Sequence, residues 1–362
     1  MTLEGQKALP LPQDEPAFHR GRHRRKAQVA LPDIVSLFCG AGGLDLGFQQ
    51  AGFRICIALD ISAAAVRTHH HNFPSSDCHR ADLAEIKAAG VVALVKQSIQ
   101  PGSRIGVIGG PPCQGFSRAN TRADSDDPRN LLPRLYVNAV EELKKMYKVE
   151  FVLFENVLGI RDKKHQHHFT ELKKSLDALG FAVTDQELCA ADFGVAQSRR
   201  RILVSGLRKN KGYGMVVPRK RSGPNTVRAA IGHIEREPTY FVRGAQQALN
   251  PVHENHWTMM PKSPRFEKPE ESTGDGRSFK RLRWELVSPT VAYGHREIHV
   301  HPSGRRRLSI YEAMLLQGFP PEFVIKGNLS EQVEQVSNAV PPPLARSIAN
   351  AVKLALCRNQ PA

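Results

Sequence analysis

The chain is predicted to be an α/β protein, with a doubly wound, mostly parallel sheet and a smaller, irregular second part. Three observations predict it. Asp33–Phe38 is a short apolar run that enters a glycine-rich turn, Cys39-Gly40-Ala41-Gly42-Gly43, with a helix from near Leu44, the pattern of a first βα unit. Arg54–Leu59 reads as a second strand closed by an acid, Asp60. Arg104–Ile108 and Phe151–Phe154 read as two further buried strands, each delivering chemically loaded residues at its carboxyl end.

A chain of 362 residues with 41% hydrophobic content can bury a full α/β core and still leave roughly 100 residues for a second domain. Lys and Arg number 51 against 35 Asp and Glu, a formal charge of +16, which suits a polyanionic partner. The six cysteines (Cys39, Cys56, Cys78, Cys113, Cys189, Cys357) are widely spaced, so neither a zinc site nor a disulfide framework is expected, and a reducing cytoplasm is. No apolar run approaches the ~18 residues that cross a bilayer.

In chain order, residues 1–30 form a polar arm with the basic cluster His19–Lys26, expected to be mobile. The glycine turn lacks a clean G-x-G-x-x-G, and Phe38 is placed to cover an adenine or a methionine chain. Both details favour S-adenosylmethionine, though nicotinamide cofactors stay open. Asp60 is placed to accept from ribose hydroxyls; helix capping is the competing role, for which Ser62 is an alternative. His69-His70-His71 is expected to be a solvated helix end, since adjacent helical side chains diverge, and no metal is expected.

Arg104–Ile108 runs into Gly109-Gly110-Pro111-Pro112-Cys113-Gln114-Gly115-Phe116-Ser117, where prolines stiffen the backbone and glycines admit a flat ligand. A cysteine on such a turn is placed to be a nucleophile, or is a structural thiol. Residues 124–130 are polar enough to close over a substrate. A helix is expected over about 132–145, and after it Glu155 and Asn156 leave a central strand at the edge where ligands bind. Residues 165–180 read as an amphipathic helix with His165, His167 and His168 at its solvated start. Strands at about 181–188 and 201–206 bracket Gln197-Ser198-Arg199-Arg200-Arg201, in which Gln197, Arg199 and Arg201 share one face and Arg200 the other. Between 208 and 305 basic residues cluster, periodicity fades, and Trp257, Trp284 and Tyr293 suit phosphate contact and stacking. A helix over Ser309–Gly318 and a last one from about Leu344 to Cys357 follow.

The Gly109–Ser117 loop resembles the nucleophile loop of the DNA (cytosine-5) methyltransferases without a mismatch. The Phe38–Phe48 segment, Phe154-Glu155-Asn156-Val157, the Gln-x-Arg-x-Arg element at 197–201 and Gln335–Pro343 resemble that family's other motifs in the expected order. Ser337 stands where a glycine is usual, and Ser309-Ile310-Tyr311-Glu312 replaces the usual Thr-Pro-Arg-Glu.

The resemblance implies a methyltransferase sheet at 31–207, a target-recognition domain at 208–305 and a return segment at 306–362 that completes the catalytic domain. It implies S-adenosylmethionine bound by Phe38, Gly40, Gly42, Leu44, Asp60, Ile61, Asp82, Leu83, Pro111, Asn338 and Val340. Cys113, Glu155, Arg199 and Arg201 would be catalytic, with Gln114, Ser117, Asn156, Gln197, Thr290 and Tyr293 on the DNA. It further implies double-stranded DNA as partner, a monomer, a restriction-modification setting with a companion endonuclease, and a cytoplasmic, nucleoid-associated enzyme. Transfer RNA methylation, a silent DNA-binding regulator and a nicotinamide-dependent oxidoreductase are the alternatives.

Overall fold

The structure is a computed structural model that describes residues 30–111, 131–221, 223, 225–242, 244, 248–269, 280–290 and 299–357. The arm before Ala30, Cys113, Gln114, Ser117, the 124–130 segment and Tyr293 lie outside the described residues.

The predicted sheet is present. In chain order it is built from β1 (Asp33–Leu37), α1 (Gly43–Gln50), β2 (Ile55–Asp60), α2 (Ala63–Asn72), β3 (Asp77–Arg80), α3 (Leu83–Ser98) and β4 (Arg104–Gly109). Then come α4 (Leu132–Met146), β5 (Lys148–Asn156), α5 (Gln166–Ala178), β6 (Phe181–Cys189), a two-residue strand β7 (Gln197–Ser198) and β8 (Arg200–Arg208). Seven strands join in the order β3-β2-β1-β4-β5-β8-β6. The first five run parallel, and β8 is antiparallel to both neighbours.

Because β1 sits between β2 and β4, the winding reverses there. A crevice therefore opens at the carboxyl ends of β1 and β4, the usual ligand position in such sheets. The two sheet faces carry separate cores, as expected when alternate side chains of buried parallel strands point to opposite layers. Val35, Val107, Val152 and Phe154 face α3, α4 and α5. Ile34, Ile108, Phe151 and Leu153 face α1 and the C-terminal helix α9 (Pro342–Cys357), reached after α6 (Val227–Ile231), α7 (Ile310–Leu316) and α8 (Leu329–Asn338).

Two contacts fix the site's frame. The Tyr136 hydroxyl from α4 lies 3.0 Å from the carbonyls of Val107 and Leu153 and accepts the Leu153 N–H at 3.2 Å, so it spans the strands on either side of the loop. On the other face α1 and α9 pack backbone to backbone, because a Cβ on Gly47 would overlap Ala345 and the amide of Arg346. This is how the last helix returns to the first.

The 208–305 region is as irregular as its composition predicts. Among its described residues are α6 and strands of two or three residues, including Thr239–Phe241 paired with Trp257–Met259. Three expectations need correction. His69 is fully buried, because the helical phase that exposes His70 and His71 turns it inward. His165 is buried as well. Trp257 is a core residue, packed with Phe319 and Phe323 and donating Nε1–H to Gln332 Oε1 at 2.8 Å, which removes it from any stacking surface. No helix among the described residues is long and apolar enough to cross a membrane.

The α1–α9 contact generates a prediction. Gly47→Val should cost about 1–3 kcal/mol by overpacking, read as a lower denaturant midpoint.

Candidate active site

The turn after β1 is shaped by charge as well as by glycine. Phe38 and Gly40 take positive φ angles of 57° and 54°, and no atom lies within 4 Å of where a Gly40 Cβ would sit, so the turn faces open space. Gly40 N–H donates to Asp60 Oδ2 and Ser62 N–H to Asp60 Oδ1, each at 2.8 Å. Ser62 also caps α2 by accepting from Ala65 N–H, so capping and the acidic position are separate roles, and each Asp60 oxygen retains a lone pair. Burial raises the Asp60 carboxyl pKa despite these two amides.

Beside Asp60, Ile61 is 57% exposed, an unusual apolar surface at a crevice mouth. Asp82 caps α3 through Ala84 N–H at 2.8 Å. The Leu44 and Leu83 side chains lie in the cores, so what they can offer a ligand is the first-turn amide of α1 and α3. Val340 closes the crevice from the return segment, with its carbonyl packed where a Gly43 Cβ would be, and Asn338 is exposed at the end of α8. The structure thus gathers the predicted cofactor residues along the carboxyl edges of β1 to β4, a fit for a nucleoside-bearing ligand.

Across the crevice, β5 ends in Glu155 and Asn156. Asn156 Nδ2 donates to the Pro111 carbonyl at 3.2 Å, which ties the root of the Cys113 loop to this strand. Gly110 presses on the Glu155 carboxylate, since a Cβ there would lie 3.1 Å from Oε2. Arg201 Nε stands 3.0 Å from Glu155 Oε1, but not in line for a hydrogen bond, and among the described residues that buried oxygen has no other partner. Burial raises the Glu155 pKa, opposed by Arg201 and Arg199.

The predicted alternation in the 197–201 element is present. Gln197, Arg199 and Arg201 are enclosed, while Arg200 is exposed and pairs with Glu187. Arg199 Nη2 donates to the Ser337 carbonyl at 2.7 Å, a contact that holds the return segment. Both polar atoms of the Gln197 side chain are buried without a hydrogen-bond partner among the described residues. β7 pairs with Ser288–Pro289, and Thr290 Oγ1–H donates to the Ser198 carbonyl at 2.8 Å, so the structure places Thr290 beside this element.

Residues 33–354 match the family model described as C-5 cytosine-specific DNA methylase, with the crevice, the Cys113 loop and the arginine element all inside the matched range. The chain belongs to that family. It is 34% identical over 334 residues to the Type II methyltransferase M1.HphI of Haemophilus parahaemolyticus, covering 88% of this chain and 86% of that protein. It is 31% identical over 345 residues to the Type II methyltransferase M.MthTI of Methanothermobacter thermautotrophicus, covering 89% and 97%. In fold it is similar to a putative DNA modification methyltransferase encoded within an E. coli prophage, with TM-score 0.73 and 24% identity over 90% of this chain and 99% of that one.

Close to the Ser309-Ile310-Tyr311-Glu312 departure, Arg306 Nη1 and Nη2 donate to Glu312 Oε2 and Oε1 at 2.9 and 2.8 Å. Glu312 also closes a capping box with Ser309 at the start of α7 and is fully buried. Burial pushes its pKa up, but Arg306 outweighs burial and holds it below the usual range. Arg306 Nε stands 2.7 Å from Glu237 in the irregular region. Arg306 was missed in the sequence because its partner lies six residues away, outside the motif's own window.

Replacing Arg306 by Gln should cost about 3–5 kcal/mol, because Glu312 is left buried without a countercharge. The Arg306→Gln/Glu312→Gln double variant should recover part of that loss in a double-mutant cycle of unfolding free energies. Since the folded pKa of Glu312 is depressed, the pair's stabilisation is full above about pH 4.5 and is lost as pH falls through the lower folded value.

Proposed function

We propose that this methylase flips one cytosine of a specific duplex DNA site into the crevice and methylates carbon 5 through a covalent Cys113 adduct. The observation that carries the reading is Glu155: a buried carboxyl with raised pKa at the edge of β5, one oxygen without a hydrogen bond among the described residues, on the strand that anchors Pro111. Cys113 follows Pro111 by two residues in the chain.

Carbon 5 of cytosine is a weak nucleophile until a thiolate adds at carbon 6, which makes it enamine-like. Glu155 in its protonated form donates to ring nitrogen 3 and neutralises the charge that Cys113 addition pushes onto the ring. Arg201, beside Glu155, is the guanidinium placed to hold the cytosine carbonyl; Arg199, tied to Ser337, keeps the return segment against the crevice. Gln197 and Thr290 border the DNA side, with Asn156 setting the root of the Cys113 loop. Water takes the carbon 5 proton, the C–H electrons restore the ring double bond as Cys113 leaves as the thiolate, and the proton on ring nitrogen 3 returns to Glu155.

S-adenosylmethionine would be held by Phe38, Gly40, Gly42, Leu44, Asp60, Ile61, Asp82, Leu83, Pro111, Asn338 and Val340, and would supply an electrophilic methyl group on a sulfonium. Asp60 would accept from the ribose hydroxyls with its remaining lone pairs, and Asp82 would take the adenine amino group. The relatives' Type II names support a restriction-modification setting.

Bisulfite sequencing of DNA from cells expressing the protein should reveal one methylated sequence context, while purified transfer RNA should accept no methyl group. Cys113→Ser should abolish turnover and trapping on 5-fluorocytosine DNA with donor affinity nearly intact; equal loss of both would make the residue structural. Glu155→Gln should lower kcat by about 100-fold or more, and the wild-type rate should fall as rising pH deprotonates Glu155.

A further inference from the structure

Beneath the glycine turn lies a buried charge pair that the chemistry above does not use. Asp45 is in the first turn of α1 and His69 in the last turn of α2; both are fully enclosed, and His69 Nε2 stands 3.0 Å from Asp45 Oδ2. Asp45 Oδ1 accepts the Ser36 hydroxyl of β1 at 2.6 Å, so one carboxylate joins β1, α1 and α2.

The pair also forms the floor of the turn. His69 stacks on Phe73 with ring centroids 4.3 Å apart. Gly42, at φ +80°, leaves both rings room: a Cβ there would lie 2.5 Å from Phe73 and 3.4 Å from His69 Cδ2. Two residues earlier, the Gly40 amide is aimed at Asp60.

Apolar side chains of equal volume would fill this space at no loss of stability, since a buried ion pair returns little beyond its desolvation cost. What an apolar filling lacks is direction. Hydrogen bonds from Ser36 and His69 fix the orientation of α1 relative to β1 and α2, and the turn between β1 and α1 inherits that orientation.

We propose that His69, paired with Asp45, is a positioning residue for the methyl donor, holding the Phe38–Gly43 turn in its binding shape. This rests on the reading of that turn as the donor site. The groups facing His69 are Asp45 from α1, Cys39 from the turn, Cys78 from β3 and Asp60 from the end of β2, with His70 on its own helix. Burial opposes charge on the ring, but Asp45 and Cys78 outweigh it and raise the His69 pKa to about 9. The Cys78 thiol, lowered to about 6 chiefly by Cys39, titrates below that window. The raised His69 value means that in the folded chain the pair stays charged until pH rises through about 9, and its contribution to stability is full below about pH 6.5 and lost as pH rises through about 9.

The test is calorimetric binding of S-adenosylhomocysteine to the full chain between pH 7.5 and 10, for wild type, His69→Gln and Ser36→Ala, with duplex DNA affinity measured alongside. At pH 7.5, His69→Gln should bind about tenfold more weakly with DNA affinity unchanged, and Ser36→Ala should fall in between. Wild type should lose about the same factor between pH 8 and 10, beyond the decline that the ligand's own amino group imposes on both proteins; the His69→Gln curve should show that shared decline alone. Unchanged affinity in His69→Gln, or parallel pH curves, would overturn the proposal. If His69→Gln does not fold, Ser36→Ala with wild-type affinity would overturn it, and a threefold or greater weakening would support it. Failure of wild type to bind the ligand at pH 7.5 would instead refute the donor-site reading itself.

Discussion

A carboxyl group buried at the end of a central strand is the constraint on which the catalytic half of the crevice depends. Glu155 sits where water is scarce, and burial outweighs two neighbouring guanidinium groups in setting its pKa. A lone buried acid is tolerable when it is neutral or paired. Here Arg201 stands close without an aligned hydrogen bond, so the acid is neither fully neutralised by protein nor open to solvent. The rest of the local structure serves that intermediate condition: Gly110 gives the carboxylate room, Asn156 binds Pro111, and the tyrosine plug of α4 keeps β4 and β5 in register on either side of the loop.

The glycine-turn half of the crevice follows a different logic, in which side chains orient backbone amides. Asp60 spends a lone pair of each oxygen on Gly40 and Ser62 amides, Asp82 takes the Ala84 amide, and Leu44 and Leu83 bury their side chains. Preorganisation of this kind lowers the ordering cost of binding. A buried Asp45–His69 pair beneath the turn belongs to the same arrangement, because it restrains backbone and not ligand.

Much of this was legible in the sequence, for a physical reason. Strands that are buried on both faces read as short apolar runs, and the glycine and proline turns at their carboxyl ends mark where backbone must approach something. Glu155, Asp60 and the 197–201 alternation could be placed from that pattern together with the family resemblance. Helical phase was less accessible. Three consecutive histidines give no indication that the first turns inward to an acid 24 residues earlier. Trp257 looked like a surface aromatic because nothing local reveals that Gln332, 75 residues away, accepts its N–H.

The Arg306–Glu312 pair anchors the start of α7. What α7 requires is a cation against a buried acid that already caps the helix, and the chain supplies it from position 306. The same guanidinium reaches Glu237, which is mostly exposed, so one side chain joins a fully buried carboxylate to a surface one in the irregular region. The exposed contact is weak by itself, since water screens it. Its significance is geometric: the path of the irregular region is registered against α7, and α7 packs near the α8 segment whose Ser337 carbonyl accepts from Arg199. The irregular 208–305 region is thereby fixed to the rest of the fold by a few buried polar anchors.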